Sequence, residues 1–249
     1  MFDHVTIRVT DRAASEQFYE TVFVALGIDT TYSTDAFAEW HDFSLTAADR
    51  DHPVTRRLHA GFIAPSRAQV DEFWRAGTAA GYADAGAPGP RPQYRDDYYG
   101  AFLLDPDGNR VEAVHHGGMQ HNGTVVIDHL WLRVADLAAS TAFYRTIAEP
   151  AGLVLRHEDA ERTTVAKAGS GGIGSSFSLV AGEPSENVHM AFGRTDDAAV
   201  RRFHDAAVAA GYTGHGIPGE RPQYHPGYYA AYVLDPDGNN IEVVNHHRT

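Results

Sequence analysis

The chain has 249 residues, of which 43% are hydrophobic and none is cysteine, and its formal net charge is -13. This acidic balance argues against nucleic acid as a partner, because binding to phosphates depends on clustered Lys and Arg. The lack of cysteine excludes disulfides and thiolate chemistry. With no apolar run of about 18 residues and no signal-peptide pattern, we expect a cytoplasmic protein with no membrane partner.

The first predicted element is a strand over residues 3–9. Apolar Val5, Ile7 and Val9 alternate there with polar residues that include His4. A period of two is typical of a half-buried strand. The polar side chains are therefore expected on one face of this strand.

A helix, two strands and a second helix are predicted next. Asp11 is placed to cap the first helix, and short strands are expected around Asp42–Thr46 and at His59–Ile63. The second helix is predicted over Arg67–Ala80. A Pro/Gly-rich loop then leads to two strands joined by a tight turn at Asp105–Asn109.

The same elements occur a second time. Residues 91–116 and 221–246 align without a gap, with 16 of 26 positions identical, and share R-P-Q-Y, Tyr-Tyr and L-D-P-D-G-N. Asp3-His4 likewise corresponds to Asp128-His129. The equivalent predicted elements are a strand ending at Val134, a helix capped by Asp136, strands at Ser176–Val180 and His189–Gly193, and a helix at Ala198–Ala210. We therefore predict two domains, 1–118 and 125–249, joined by the linker 117–124.

Each half contains two histidines and one glutamate at equivalent places. These residues are His4, His59 and Glu112, then His129, His189 and Glu242. Two imidazoles and one carboxylate hold a divalent metal on one face and leave other positions open. A buried Glu is also unfavourable without a cation. The donors suit Fe(II), Mn, Co, Ni or Zn, and the pattern favours Fe(II).

The order of first-strand His, second-unit His and D-P-D-G-N-x-x-E resembles the vicinal oxygen chelate superfamily, which includes glyoxalase I, extradiol dioxygenases, and fosfomycin and bleomycin resistance proteins. The resemblance covers residues 2–116 and 126–246. It implies an α+β fold of four βαβββ modules in two domains with curved mixed sheets, each holding a metal.

Two arrangements of the modules are compatible with this resemblance. In one, His4, His59 and Glu112 meet within one half; in the other, His4 joins His189 and Glu242. The short linker and the complete ligand set in each half favour the first.

A position on the fourth strand bears on the reaction. Glyoxalase I has a fourth ligand there, a Glu that is also the base, whereas the aligned residues here are Ser44 and Ser178. Serine is neither a strong ligand nor a base at neutral pH, which argues against a true glyoxalase I. The neighbouring His41 and Asp42 could compensate.

The two halves differ near their ends. His225 lies seven residues before Tyr232, which resembles the extradiol pattern of an acid/base His and a Tyr that supports bound substrate. Ala231 departs from this pattern, which has a larger apolar residue there. The first half has Arg95 and Phe102 instead, which cannot fill these roles. The second half is therefore the predicted catalytic half.

Two further sets of residues are candidates for substrate contact. One member of each pair, Tyr98-Tyr99 and Tyr228-Tyr229, is expected to line the pocket, because strand neighbours face opposite ways. Tyr229 is the predicted pocket residue and a candidate catalytic group with His225 and Tyr232. Arg8 and Arg133 either bind an anionic substrate group or form salt bridges.

Two motifs are set aside. Gly169–Gly174 spells G-x-G-x-x-G, but a strand pattern follows it where a dinucleotide site needs a helix. Asp105–Gly108 is similar to part of a calcium loop, but other oxygen ligands are missing, so a hairpin turn is preferred.

The leading hypothesis is a metal-dependent enzyme that chelates a small-molecule substrate through two neighbouring oxygens, as a dioxygenase or a glyoxalase-like lyase or isomerase. The alternative is a non-catalytic resistance protein that sequesters a cationic or metal-chelated antibiotic, as the acidic charge suggests. A structural protein with vestigial sites is a third hypothesis. The assembly expected is a monomeric pseudo-dimer or a homodimer.

Overall fold

The structure is a computed structural model that describes residues 1–118, 120, 124–170 and 175–247. Parts of the predicted linker 117–124 and of the glycine motif 169–174 lie outside these residues. The described helices are α1 (Arg12–Leu26), α2 (Arg67–Ala79), α3 (Leu137–Ala151) and α4 (Asp197–Ala209). The described strands are β1 (His4–Val9), β2 (Tyr32–Ser33), β3 (Phe37–Trp40), β4 (Phe43–Ala47), β5 (His59–Ile63), β6 (Asp84–Pro90), β7 (Tyr99–Leu104), β8 (Arg110–His115), β9 (Ile127–Val134), β10 (Leu153–Glu158), β11 (Arg162–Lys167), β12 (Ser176–Ala181), β13 (His189–Gly193), β14 (Gly214–Glu220), β15 (Tyr229–Leu234) and β16 (Asn240–Asn245).

The strands form two eight-stranded mixed sheets. One has the order β14-β15-β16-β13-β1-β4-β3-β2 and the other β10-β11-β12-β9-β5-β8-β7-β6. The pairs β5·β8 and β13·β16 are parallel, whereas the hairpins that flank them are antiparallel. Every module runs strand, helix, strand, strand, strand. The predicted α+β fold of four βαβββ modules is confirmed.

The pairing of modules differs from the arrangement that the sequence favoured. The start of β1 lies against β13, where the Asp3 amide donates to the Ala191 carbonyl at 2.9 Å. The entry to β9 lies against β5, where the Ile63 amide donates to the Val126 carbonyl at 2.9 Å. The first module thus joins the fourth, and the second joins the third. The prediction that each half closes on itself is wrong.

The chain divides into two compact units. One comprises Met1–Val5 with Trp131–Thr249, and the other comprises Thr6–Leu130. The first five residues therefore belong with the second half. The boundaries 1–118 and 125–249 follow the sequence repeat and stay a prediction.

The helix ends follow from local sequence. The Asp11 carboxylate accepts from the Ala14 amide and caps α1, and the Asp136 carboxylate accepts from the Ala139 amide and caps α3. Gly27 ends α1 at a φ of 73°, in the left-handed region that favours glycine. Among the described residues, no helix is both long and apolar enough to cross a membrane.

Two strands lie where the sequence indicated a Pro/Gly-rich loop. They are β6 and β14, each at the end of its sheet and paired on one side with an irregular register. Edge strands accept Pro and Gly because one side of the strand needs no partner. These two strands were therefore not predicted, because the sequence contains few strand-forming residues there.

The D-P-D-G-N turns fix the last hairpin of each half. Buried Asp105 accepts hydrogen bonds from the Asn109 amide at 2.8 Å and from the Tyr19 hydroxyl at 3.1 Å. The Tyr144 hydroxyl makes the equivalent bond to Asp235 at 3.3 Å. These carboxylates are thus engaged in holding a turn against a helix.

Candidate metal centres

The first candidate centre, called the His4 cluster, consists of His4, His189 and Glu242. The Nε2 atoms of His4 and His189 lie 3.1 Å apart, and the Glu242 Oε2 atom lies 3.5 Å from the first and 3.0 Å from the second. Strand pairing creates this triangle, because β13 lies between β16 and β1. All three residues belong to the unit of Met1–Val5 and Trp131–Thr249.

The second candidate centre, called the His129 cluster, consists of His59, Glu112 and His129. The Glu112 Oε2 atom lies 2.8 Å from His59 Nε2 and 3.3 Å from His129 Nε2. One donor atom from each residue lies within 4.8 Å of the others. This cluster lies inside the unit Thr6–Leu130.

The six predicted ligands are thus brought together in two groups of three, but not in the groups favoured by the sequence. His4 lies with two residues of the second half, and His129 lies with two residues of the first half. The reason is that the first strand of each half pairs with a strand of the other half. The within-half set of His4, His59 and Glu112 is not formed.

The spacing of the donors fits a divalent transition metal. At metal–ligand distances of about 2.1 Å, two donors lie roughly 3.0 Å apart at a right angle and roughly 3.4 Å apart at a tetrahedral angle. The separations in the His4 cluster are 3.0, 3.1 and 3.5 Å. Glu112 and Glu242 are 0% and 1% exposed, and carboxylates this buried require positive partners.

An aspartate orients one histidine in each cluster. The Nδ1 atom of His4 donates to Asp3 at 3.0 Å, and that of His129 donates to Asp128 at 2.7 Å. A proton on Nδ1 leaves the Nε2 lone pair of the same ring for a metal. The repeated Asp-His dipeptide therefore contains both a candidate ligand and the group that orients it.

A tyrosine holds the second oxygen of each glutamate. Tyr98 donates to Glu112 Oε1 at 2.8 Å, and Tyr228 donates to Glu242 Oε1 at 2.6 Å. The Oε2 atoms are the ones that face the histidines. Each glutamate is therefore fixed for coordination through one oxygen.

Tyr229, predicted as the pocket residue, lies on the opposite face of its strand. Its hydroxyl accepts from Arg201 at 3.0 Å, and its counterpart Tyr99 donates to Asp71 at 2.8 Å. Neighbours on a strand alternate between faces, and Tyr228 has the inward position. The candidate role at the cluster therefore passes from Tyr229 to Tyr228.

The two oriented histidines favour a bound positive charge. Burial lowers the pKa of His4, but its hydrogen bonds to Asp3 and Glu242 outweigh burial and raise the pKa to about 10. The pKa of His129 is raised to about 10 in the same way by Asp128 and Glu112. A metal would take the place of these protons.

The glutamates and His59 complete the electrostatics. Burial raises the pKa of Glu112 and of Glu242, but bonds to their histidines reverse this and lower each pKa to about 2. Burial lowers the pKa of His59, and the charges of His129 and Arg110 lower it further against the opposing effect of Glu112. The clusters are thus similar in donors and different in surroundings.

Tyr232 lies beside the His4 cluster. It is directly opposite Glu242 in the β15·β16 pair, and its ring centroid lies 6.3 Å from that of His189. Among the described residues, its buried hydroxyl has no hydrogen-bond partner. Phe102 has the equivalent place opposite Glu112 and brings no polar atom. This difference is the one that the sequence indicated between the halves.

His225 does not face the His4 cluster directly. Its Nδ1 atom lies 2.8 Å from the Pro226 carbonyl, and its Nε2 atom lies 2.8 Å from Nδ1 of His246. His246 Nε2 lies 2.9 Å from Asp3, the partner of His4. His225 is therefore connected to the cluster through His246 and Asp3, and its acid/base role stays a prediction.

The other sequence candidates have separate partners. Ser44 bonds to the Thr6 hydroxyl at 2.8 Å, and Ser178 bonds to that of Thr164 at 3.0 Å. Asp42 accepts from the Val126 amide at 2.8 Å, so its carboxylate anchors the entry to β9.

The remaining sequence candidates are His41 and the two arginines, Arg8 and Arg133. His41 has a φ of 60° in the turn before Asp42. The Arg8 amide donates to Thr55 at 2.9 Å, and the Arg133 side chain lies against Gly182. Binding of an anionic group by either arginine stays a prediction.

Sequence reasoning did not assign a role to four groups around the ligands: Asp3, Asp128, His116 and His246. The His116 and His246 rings bond to Asp128 and Asp3 at 3.2 and 2.9 Å. All four occur at matching positions of the two halves. Their repetition beside repeated ligands was the available signal.

Comparisons with known proteins agree with this architecture. The family model described as Glyoxalase/Bleomycin resistance protein/Dioxygenase superfamily matches residues 1–113 and 126–243. No curated protein matched the chain.

Solved structures with a similar fold include glyoxalase I from Zea mays, with a TM-score of 0.72, 18% identity, and coverage of 98% of this chain and 92% of that one. A glyoxalase/bleomycin resistance protein from Albidiferax ferrireducens T118 is 32% identical over 47% of this chain and 99% of its own, with a TM-score of 0.42. The 2,3-dioxygenase LapB from Pseudomonas sp. KL28 is 15% identical over 98% of this chain and 91% of its own, with a TM-score of 0.42. With both halves matched by one family model, the chain belongs to the Glyoxalase/Bleomycin resistance protein/Dioxygenase superfamily.

Proposed function

We propose that this protein is a metal-dependent enzyme that binds a small substrate through two neighbouring oxygens at the His4 cluster. The reaction class is that of a dioxygenase or of a glyoxalase-like lyase or isomerase. The observation that supports this most is the triangle of His4, His189 and Glu242, with the Tyr232 ring centroid 6.3 Å from that of His189.

The three donors suit Fe(II) best, with Mn, Ni, Co or Zn as alternatives. When bound, such an ion supplies Lewis acidity toward a carbonyl or catecholate oxygen, and iron adds the capacity for O2 chemistry. Three protein donors leave coordination positions open, as chelation by two substrate oxygens requires.

The protein side chains have distinct tasks in this proposal. Asp3 holds the proton on His4 Nδ1, and Tyr228 fixes the second oxygen of Glu242. Tyr232 is proposed to donate its hydroxyl proton to a substrate oxygen, because this residue is the register partner of Glu242 and its ring centroid lies 6.3 Å from that of His189. Burial of the glutamate strengthens each of these interactions by limiting water.

The His4 cluster is preferred over the His129 cluster for the chemistry. The residue opposite the glutamate is Tyr232 in the first and Phe102 in the second. A phenyl ring cannot donate or accept a hydrogen bond from a substrate oxygen. The His129 cluster is proposed as a weaker or structural metal site.

Metal analysis is the first test. The protein would be reconstituted separately with Fe(II), Mn, Co, Ni and Zn, freed of excess metal, and assayed for bound metal. We expect close to one equivalent or more for at least one metal. Retention of less than ~0.2 equivalents of every metal would contradict the proposal, because three-ligand sites normally hold metal more firmly.

The reaction class would then be assigned with the loaded protein. Incubation with a catechol, with oxygen uptake as the measurement, tests the dioxygenase reaction. Incubation with a vicinal hydroxy-carbonyl compound, with proton NMR of the products, tests the lyase or isomerase reaction. A His4→Ala variant is the matched control, since it removes a ligand from one cluster only.

The second candidate function is sequestration of a cationic or metal-chelated antibiotic without catalysis. The net charge of -13 favours it, because an acidic protein attracts a cationic ligand. Calorimetry with cationic glycopeptide-type drugs, with and without metal, distinguishes the two functions. Absence of heat with all of these drugs would remove this candidate.

A further inference from the structure

The two clusters differ at one position beside their second histidine. In the parallel pair β13·β16, His189 is the register partner of Asn240. In the equivalent pair β5·β8, His59 is the register partner of Arg110. An amide thus stands next to one metal ligand where a guanidinium stands next to the other.

Asn240 contacts the ring nitrogen of His189 that points away from the cluster. Its Nδ2 atom lies 2.8 Å from His189 Nδ1. Among the described residues, its buried Oδ1 atom has no hydrogen-bond partner. A buried acceptor without a partner is unfavourable, so the oxygen of this amide has an unused capacity to accept a hydrogen bond.

Metal binding would use that capacity. Coordination through His189 Nε2 places the ring proton on Nδ1, which then needs an acceptor. A half-turn of the Asn240 amide exchanges its nitrogen for its oxygen at the same place. The Asn240 carbonyl oxygen can therefore orient His189 as Asp3 orients His4.

Arg110 cannot do this for His59. A guanidinium has donors only and keeps its positive charge. It lies over the Phe102 ring, 3.9 Å from the centroid, and that centroid lies 5.9 Å from the His59 ring. The charge is exposed to solvent, so its repulsion of a bound cation is reduced but not removed.

We propose that Asn240 and Arg110 make the two clusters unequal metal sites, so that the His4 cluster binds a divalent ion tightly and the His129 cluster binds it weakly. Asn240 acts as a positioning residue and Arg110 as an opposing charge. This inference rests on the proposed function, since it takes both clusters to be metal sites.

The test is titration of the full-length, metal-free protein with Co(II), followed by calorimetry and by the visible absorbance of the bound ion. Two classes of site with dissociation constants at least about tenfold apart are expected for the unsubstituted protein, in keeping with effects of outer groups on metal affinity. Glu242→Gln should remove the tight class, and Glu112→Gln the weak class.

Reciprocal substitutions then address the two residues. Asn240→Leu is expected to weaken the tight class about tenfold, while Asn240→Asp, which keeps an acceptor, restores it. Arg110→Asn is expected to tighten the weak class several-fold and shift its Co(II) absorbance. Circular dichroism and thermal unfolding show whether each variant is folded, and Asn240→Asp gives a second test should Asn240→Leu fail to fold.

The outcomes separate the two proposals. Two equal classes in the unsubstituted protein, unchanged affinities in Asn240→Leu and Arg110→Asn, or a weakened tight class in Asn240→Asp would overturn this inference and leave the metal-dependent function standing. Absence of Co(II) binding by the unsubstituted protein, together with absence of the other metals, would overturn both.

Discussion

The Tyr228 hydroxyl donates a hydrogen bond of 2.6 Å to Oε1 of Glu242, whereas the adjacent Tyr229 has its hydroxyl bonded to Arg201 on the other face of the strand. One tyrosine therefore fixes a metal-ligand candidate while its neighbour braces a helix. This relationship gives a pair of variants that differ in location but not in chemistry.

Replacing Tyr228 with Phe is expected to weaken metal binding at the His4 cluster about tenfold, because Glu242 Oε1 then lacks its buried donor and the carboxylate loses its orientation. Metal titration by calorimetry measures the effect. Tyr229→Phe is the matched control and should leave the affinity unchanged. An equal loss of metal affinity in both variants would contradict the prediction, because only Tyr228 contacts Glu242 Oε1.

Gly61 allows the close approach of a ligand in the His129 cluster. A Cβ atom at this position would lie 2.4 Å from Cε1 of His129 and 2.7 Å from its Nδ1. Gly61→Ala is therefore expected to displace the ring and weaken metal binding at this cluster only. The amount of metal that the protein retains at this cluster should fall.

The control for Gly61 is its counterpart Ala191 beside the other cluster. Ala191→Gly removes a methyl group and should keep metal at the His4 cluster. Loss of thermal stability with unchanged stoichiometry in Gly61→Ala would contradict the prediction.

Tyr232→Phe is expected to lower substrate turnover by about ten- to a hundredfold while metal affinity stays within about twofold, since the hydroxyl is proposed to contact substrate and not metal. Steady-state kinetics and metal titration on the same preparation measure the two effects. Equal activity in the variant would remove Tyr232 from the proposed site.

The stability of the metal-free protein is expected to fall as pH rises from 6.5 toward 10. The pKa of His4 and of His129 is raised from 6.5 to about 10, so their stabilising contribution is full below pH 6.5 and is lost as pH approaches 10. The pKa of His59 is lowered below 6.5, so this group changes the stability only below pH 6.5 and does not oppose the decline above it.

Urea unfolding in the presence of a chelator, repeated across this pH range, gives the free energy of unfolding. In His4→Gln, the free energy of unfolding should fall less steeply with pH, because one of the two titrating histidines is absent. A free energy that is constant or rises from pH 6.5 to 9 would contradict the assigned pKa directions.

The six candidate metal ligands could be predicted from the sequence, but their grouping could not. The repeat placed His4, His59 and Glu112 at positions that match His129, His189 and Glu242. Which strands pair depends on contacts far apart in the chain, which local periodicity does not encode. The swap of β1 onto β13 therefore appears only in the structure.

Two other features could not be predicted from the sequence, because the local residue pattern is ambiguous at each. The choice between Tyr228 and Tyr229 depends on the phase of strand β15, and two adjacent aromatic residues give no alternation to define it. The edge strand β14 contains Gly and Pro, which are depleted in ordinary strands. Neither feature altered the predicted modules, because the modules depend on the longer apolar patterns.

The most direct test is anomalous X-ray scattering from crystals of the protein loaded with zinc. We predict an ion about 2.0–2.2 Å from His4 Nε2, His189 Nε2 and Glu242 Oε2. An ion held by His4, His59 and Glu112, or crystals in which His4, His189 and Glu242 surround no ion at saturating zinc, would contradict the central claim that the first and fourth modules together form the metal centre.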